Sequence, residues 1–121
     1  MSEPTTVNKP WGHELIWAKT DRYVGKILHI NAGESLSLQY HQVKEETIMV
    51  LSGRIEFEHY GEGEAPQKTV LEPLVPFHVI PGLRHRMVAL EDTDIVEVST
   101  PELDDVVRLE DRYGREGTSA P

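Results

Sequence analysis

Hydrophobic and polar positions alternate at period two along most of the chain. The segment RIEFEHY (54–60) shows it plainly: Ile55 and Phe57 fall on one side, Glu56 and Glu58 on the other. Runs of this kind, rich in Val, Ile, Leu, Thr and Tyr, predict strands near His13–Trp17, Tyr23–Ile30, Ser35–His41, Glu46–Leu51, Arg54–Tyr60, Lys68–Glu72, His78–Ile80, His85–Leu90 and Asp94–Ser99. Breakers separate them: NAGE (31–34), LSGR (51–54), YGEGEAP (60–66), EPLVPF (72–77), IPGL (80–83) and EDTD (91–94). Short strands at this spacing predict an all-β sandwich or barrel in a single domain, residues 1–121, with an ordered core from about 10 to 115. Only ELDDVVRLEDRY (102–113) reads as helical, for a turn or two. Met1–Lys9 and Gly114–Pro121 are expected to fray.

One strand breaks its own pattern. GESLSLQYHQVKEETIMVLSG (33–53) sets Gln39 and His41 two residues apart, so both side chains leave the strand on one face. A turn through QVKE returns the chain, and Glu46 opens the next strand on the face of Ile48 and Val50. If that face lines the interior, three polar side chains converge in one cavity. An isolated buried carboxylate is costly, and a metal ion removes the cost. After the Pro-Gly turn of IPGLRHRM (80–87), His85 begins another apolar strand and offers a fourth donor. Gln39, His41, Glu46 and His85 form an oxygen-and-nitrogen set suited to one divalent ion: Zn, Mn, Fe, Co or Ni. The competing reading is a hydrogen-bonded polar set in a metal-free barrel.

Composition narrows the chemistry. The 121 residues contain 12 Lys+Arg against 21 Asp+Glu, a formal charge of −9, and no cysteine. Disulfides, thiolate ligands and cysteine nucleophiles are excluded. The negative surface disfavours nucleic acid and anionic lipid, and a phosphorylated ligand would need local positive charge. No signal peptide and no membrane-length apolar run are visible, so the expectation is a soluble, cytoplasmic protein.

The 33–53 stretch resembles the first cupin motif, Gly33 to Gln39 and His41, then Glu46, then Gly53, with glutamine in the place of a usual histidine. Gly82 and His85 resemble the second motif, with Ile80 at its usual proline. NKPWGHEL (8–15), LSLQYH (36–41) and DDVVRLEDRYGR (104–115) are similar to mannose-6-phosphate isomerase-type cupins, in particular the isomerase domain of bifunctional mannose-6-phosphate isomerase/mannose-1-phosphate guanylyltransferases. The resemblance implies a double-stranded β-helix, or jelly roll, and a divalent metal, zinc first, on Gln39, His41, Glu46 and His85. After Gln-x-His this chain has Gln42, Val43, Lys44 and Glu45, not that group's further histidines, arginine and alanine.

Three functions fit these residues. The first is a metal-dependent sugar or sugar-phosphate isomerase, with Lys44, His78 or Glu45 moving the proton and Arg84 and Arg112 contacting phosphate. The second is a non-catalytic cupin binding a sugar or carboxylate, and the third an iron-dependent dioxygenase. Lys26 and Arg86 are further candidate anion contacts. His13 and His59 are expected to be solvated or interfacial, and His29 a satisfied wall residue. Trp11 and Trp17 are expected to pack on the barrel or in a homodimer, Tyr40 to face away from the metal, and Glu62 and Glu64 to lie in a solvated loop.

Overall fold

The computed structural model describes residues 3–61 and 65–117; Glu62 and Glu64 lie outside them. Among the described residues the chain forms eleven strands and no helix. They are β1 (Thr5–Lys9), β2 (Gly12–Lys19), β3 (Val24–Ile30), β4 (Leu38–Tyr40), β5 (Glu46–Ser52), β6 (Ile55–Tyr60), β7 (Gln67–Leu71), β8 (Pro76–Val79), β9 (Arg84–Ala89), β10 (Thr93–Ser99) and β11 (Val107–Glu110). Two antiparallel sheets result, ordered β1-β2-β3-β10-β5-β8 and β11-β4-β9-β6-β7. This is the all-β jelly roll that the strand pattern and the cupin resemblance imply.

Two segments differ from their expected form. Thr5–Lys9 is an edge strand paired along its length with β2, from Thr5 opposite Ile16 to Lys9 opposite Gly12. The 102–113 segment contains no helix. Its Val107 and Arg108 sit opposite Tyr40 and Gln39, making β11 an edge strand on β4. β11 depends on non-local pairing, which a local pattern cannot register, whereas β1 is the first arm of a hairpin with β2 closed over Pro10 and Trp11.

Alternation decides what fills the interior. Ile48 and Val50 on β5, Leu28 and Ile30 on β3, Ile95 on β10, Ile55 and Phe57 on β6, and Met87 and Ala89 on β9 point inward and form the core with Trp11. The inward face then changes character along each strand. On β10, Ile95 lies opposite Leu28 and Val50, but two residues on, Glu97 lies opposite Lys26. Two further on, Ser99 lies opposite Glu46. In the facing sheet, Arg108, Gln39, His85 and His59 stand in one cross-strand row. One end of the barrel is therefore apolar and the other charged.

Candidate metal centre

Glu46 opens β5 at the charged end and is 4% exposed. His41 follows β4, and His85 sits one residue into β9, both buried. One ligand atom from each of the three lies within 4.8 Å of the others. Glu46 Oε1 is 3.6 Å from His41 Nε2 and 3.7 Å from His85 Nε2. Those separations exceed hydrogen-bond reach, and neither Nε2 has any hydrogen-bond partner. Mutual hydrogen bonds therefore do not satisfy this cluster.

The opposite ring nitrogens explain the arrangement. His41 Nδ1–H donates to the Asp105 carbonyl at 2.6 Å, and His85 Nδ1–H donates to the Leu83 carbonyl at 2.9 Å. Each bond directs the lone pair of a neutral ring to Nε2. Burial pushes the His85 imidazole below its ordinary pKa, which favours that neutral form. The Gly82 N–H donates to the His41 carbonyl at 2.7 Å, tying the second glycine-histidine motif to the first. Gly82 makes this turn at φ +85°, a region that favours glycine.

Glu46 divides its oxygens between two tasks. Oε1 faces the imidazoles, and Oε2 lies 3.2 Å from Lys44 Nζ. Burial opposes a charged Glu46, while the Lys44 ammonium beside it offsets that cost and favours the ionised carboxylate, below its usual pKa. Two imidazole nitrogens without hydrogen-bond partners, converging on one carboxylate oxygen, are a donor set that fits a divalent ion. Gln39 lines the same cavity, and its Oε1 accepts a hydrogen bond from Ser37 Oγ at 3.2 Å.

The cavity beyond the triad is strongly charged. Among the described residues, Lys9, Lys26, Lys44, Arg108 and Arg115 line it with Glu14, Glu46 and Glu97. Glu14 accepts from Lys26 Nζ at 2.7 Å and lies 3.5 Å from Lys9 Nζ. Burial disfavours the Glu14 charge, yet Lys26 and Lys9 keep its pKa below the ordinary value. Glu97 differs: burial first, and then the Glu46 charge, push its carboxyl up. Arg115 makes a two-pronged pair with the buried Asp111, Nε–Oδ2 at 2.9 Å and Nη2–Oδ1 at 3.1 Å.

Several expected roles need correction. Lys44 lies between Glu46 and Glu97, 3.2 Å from each; burial opposes its charge, but the two acidic side chains raise its pKa, which favours its protonated form. His78 is exposed, off the cavity wall, and hydrogen-bonded to Glu45, which is exposed as well. Arg84 lies over the Tyr60 ring, 4.8 Å from its centroid. Arg112 donates to the Gly33 carbonyl at 2.7 Å and pairs with Glu34 at 3.7 Å. Neither arginine lines the cavity.

The bystanders sort themselves similarly. His29 bonds Asp94 at 2.8 Å and stacks on His13. His59 is half-buried, tilted against Phe57 and Phe77. Trp11 is in the core, while Trp17 is 45% exposed. Glu14, Glu97, Arg108 and Arg115 were not anticipated from the sequence. Glu97 carried a readable signal, since it shares the parity of the buried Ile95.

A jelly roll with histidine and glutamate donors in its hollow defines a cupin. The chain belongs to the family described as mannose-6-phosphate isomerase C-terminal, whose family model matches residues 1–111. It is 33% identical over 113 residues to the mannose-1-phosphate guanylyltransferase ManC of Salmonella typhimurium, covering 90% of this chain and 23% of that protein. A mannose-1-phosphate guanylyltransferase of Escherichia coli is likewise 33% identical over 115 residues, at the same coverages. The chain thus spans about a quarter of the length of these curated relatives. Solved structures share the fold. The capsular polysaccharide assembling protein CapF of Staphylococcus aureus superposes at TM-score 0.74 with 20% identity, over 89% of this chain and 34% of that one. Oxalate decarboxylase of Bacillus subtilis does so at TM-score 0.78 with 14% identity, over 89% and 30%.

Proposed function

We propose that the protein is a metal-dependent aldose–ketose isomerase acting on a phosphorylated sugar. The observation that carries this reading is the pair of unpartnered imidazole nitrogens aimed at Glu46 in a cavity rich in cations. The description of the family supports the same reaction. A divalent ion held by His41, Glu46 and His85, with Gln39 beside them, would polarise a carbonyl oxygen and stabilise negative charge developing there. Lys44 keeps its proton and adds a fixed positive charge to that region. Glu97, buried in the cavity wall with a raised pKa, is the group placed to move a proton between adjacent carbons. Lys9, Lys26, Arg108 and Arg115 supply an anionic substrate with the local positive charge that the surface at −9 denies it.

The test is conversion of mannose 6-phosphate to fructose 6-phosphate by protein stripped of metal and then reloaded. Turnover that returns with the metal is the expected result. Bound iron with oxygen uptake and no isomerisation would replace this reading with a dioxygenase. Bound metal with no turnover at all would leave a ligand-binding cupin.

A further inference from the structure

The 42–46 loop, which carries Lys44 and leads into Glu46, is stitched to the segment preceding β11. Asp105 Oδ1 accepts from the Gln42 N–H at 3.0 Å, and Oδ2 accepts from the Val43 and Lys44 N–H groups at 2.7 and 2.8 Å. Thr100 adds two bonds: its Oγ1 accepts from the Glu45 N–H at 3.0 Å, and its own N–H donates to the Glu45 carbonyl at 3.0 Å. The Asp105 backbone carbonyl meanwhile receives His41 Nδ1–H. One residue thus grips the turn with its carboxylate and the imidazole with its main chain.

We propose that Asp105 is the positioning residue of the metal centre, its carboxylate anchoring the 42–44 turn so that its own carbonyl fixes the tautomer and direction of His41. This rests on reading His41, Glu46 and His85 as metal ligands. The side chain does not touch the imidazole. It acts by holding the carbonyl still, and a ring that loses this partner can rotate its Nε2 away from Glu46. Partners of this kind are worth about 10–100-fold in metal affinity. Thr100 grips the same loop without contacting His41, so it separates positioning from general loop stability.

Cobalt(II) titration of the stripped full chain, followed by visible absorption and competition with a chelator, tests this. Asp105→Ala is expected to weaken cobalt binding by about 10-fold or more and alter the ligand-field spectrum, with far-UV circular dichroism unchanged. Asp105→Asn keeps one acceptor oxygen and is expected to lose less. Thr100→Val is expected to bind within about twofold of the parent, because His41 keeps its carbonyl partner. Parent-like binding and spectrum in Asp105→Ala would overturn the proposal, as would equal losses in Asp105→Ala and Thr100→Val. If Asp105→Ala fails to fold, the comparison of Asp105→Asn with Thr100→Val decides on the same terms. A parent chain that binds no cobalt refutes the metal reading itself, a result distinct from failure of the Asp105 role.

Discussion

Replacing His85 with alanine separates a ligand from a merely buried histidine. The ring is 1% exposed, stacked on Phe57 at 5.8 Å and tilted against His41 at 5.4 Å by centroid distance. Without metal, the substitution leaves a cavity and deletes the bond to Leu83, but it also removes a buried, unpartnered Nε2 that costs about 1–3 kcal/mol. These effects oppose one another, so the net change is about 2 kcal/mol or less, within what a domain of ordinary stability withstands. Metal tells the two roles apart. Four-ligand sites bind with about 10–16 kcal/mol, so each ligand is worth about 3 kcal/mol, roughly a hundredfold in affinity.

At a free metal concentration about 1,000 times the parent Kd, binding stabilises the parent by about 4 kcal/mol and the variant by about 1.4 kcal/mol. With an unfolding entropy of about 0.25 kcal/mol/K for a chain of this length, those figures become Tm shifts of about 16 and 6 °C. The assay is thermal unfolding of chelator-stripped protein with and without added metal. His59→Ala is the control, because His59 shares the cross-strand row of His85 but is not one of the three clustered ligands. Equal metal-induced shifts in the parent and His85→Ala would refute the assignment of His85.

Three further outcomes follow from the same structure. Glu97→Gln should retain the metal-induced Tm shift while isomerase turnover falls by about 10²–10⁴-fold, measured by coupled assay. Arg115 holds the Asp111 carboxyl below its usual pKa against the effect of burial, so the stability it gives is complete above about pH 5 and lost as pH falls through the folded-state value. Asp111→Asn should flatten that acid limb in urea unfolding measured as a function of pH. Gly53 sits at φ +95°, where an added Cβ would stand 2.4 Å from Thr93 Oγ1 and 2.5 Å from the Asp92 carbonyl oxygen. Gly53→Ala should destabilise by at least about 2 kcal/mol in the same urea assay.

The strands were legible wherever one face meets the core, because period two survives any context: β6 and β10 read directly from Ile55/Phe57 and Ile95/Glu97. The clustering of His41, Glu46 and His85 at one end of the barrel, with Gln39 across from His85, follows from the same alternation. The cationic wall was not legible. Arg108 reaches the cavity only because β11 pairs with β4 and brings it beside Gln39, and the local charge pattern of 102–113 reads instead as a helix face. Lys9 likewise depends on β1 pairing with β2. Of the two, only β11 is an edge whose partner is remote in sequence, and a sequence window does not contain that partner, whereas β1 and β2 form a local hairpin.

The charged end of the barrel is hard to explain by stability. Lys26, Glu14, Lys44, Glu46 and Glu97 are all buried, and on the strands of Lys26, Glu46 and Glu97 the neighbouring inward residues are Leu28, Ile48 and Ile95. Desolvating such groups costs several kcal/mol per ion, and well-packed apolar residues of similar volume are often neutral or better. The sequence supplies such residues two positions away along β3, β5 and β10, so the fold does not lack the means to fill this space with them. The network also leaves Nε2 of His41 and His85 unpartnered, a further cost that a finished core avoids. A hollow that gives up cohesion in this way is organised around something that enters it. Imidazole and carboxylate donors at one side and lysine and arginine along the rest suit a cation and an anion together, and the divalent metal and phosphorylated sugar of the proposed function would meet both demands.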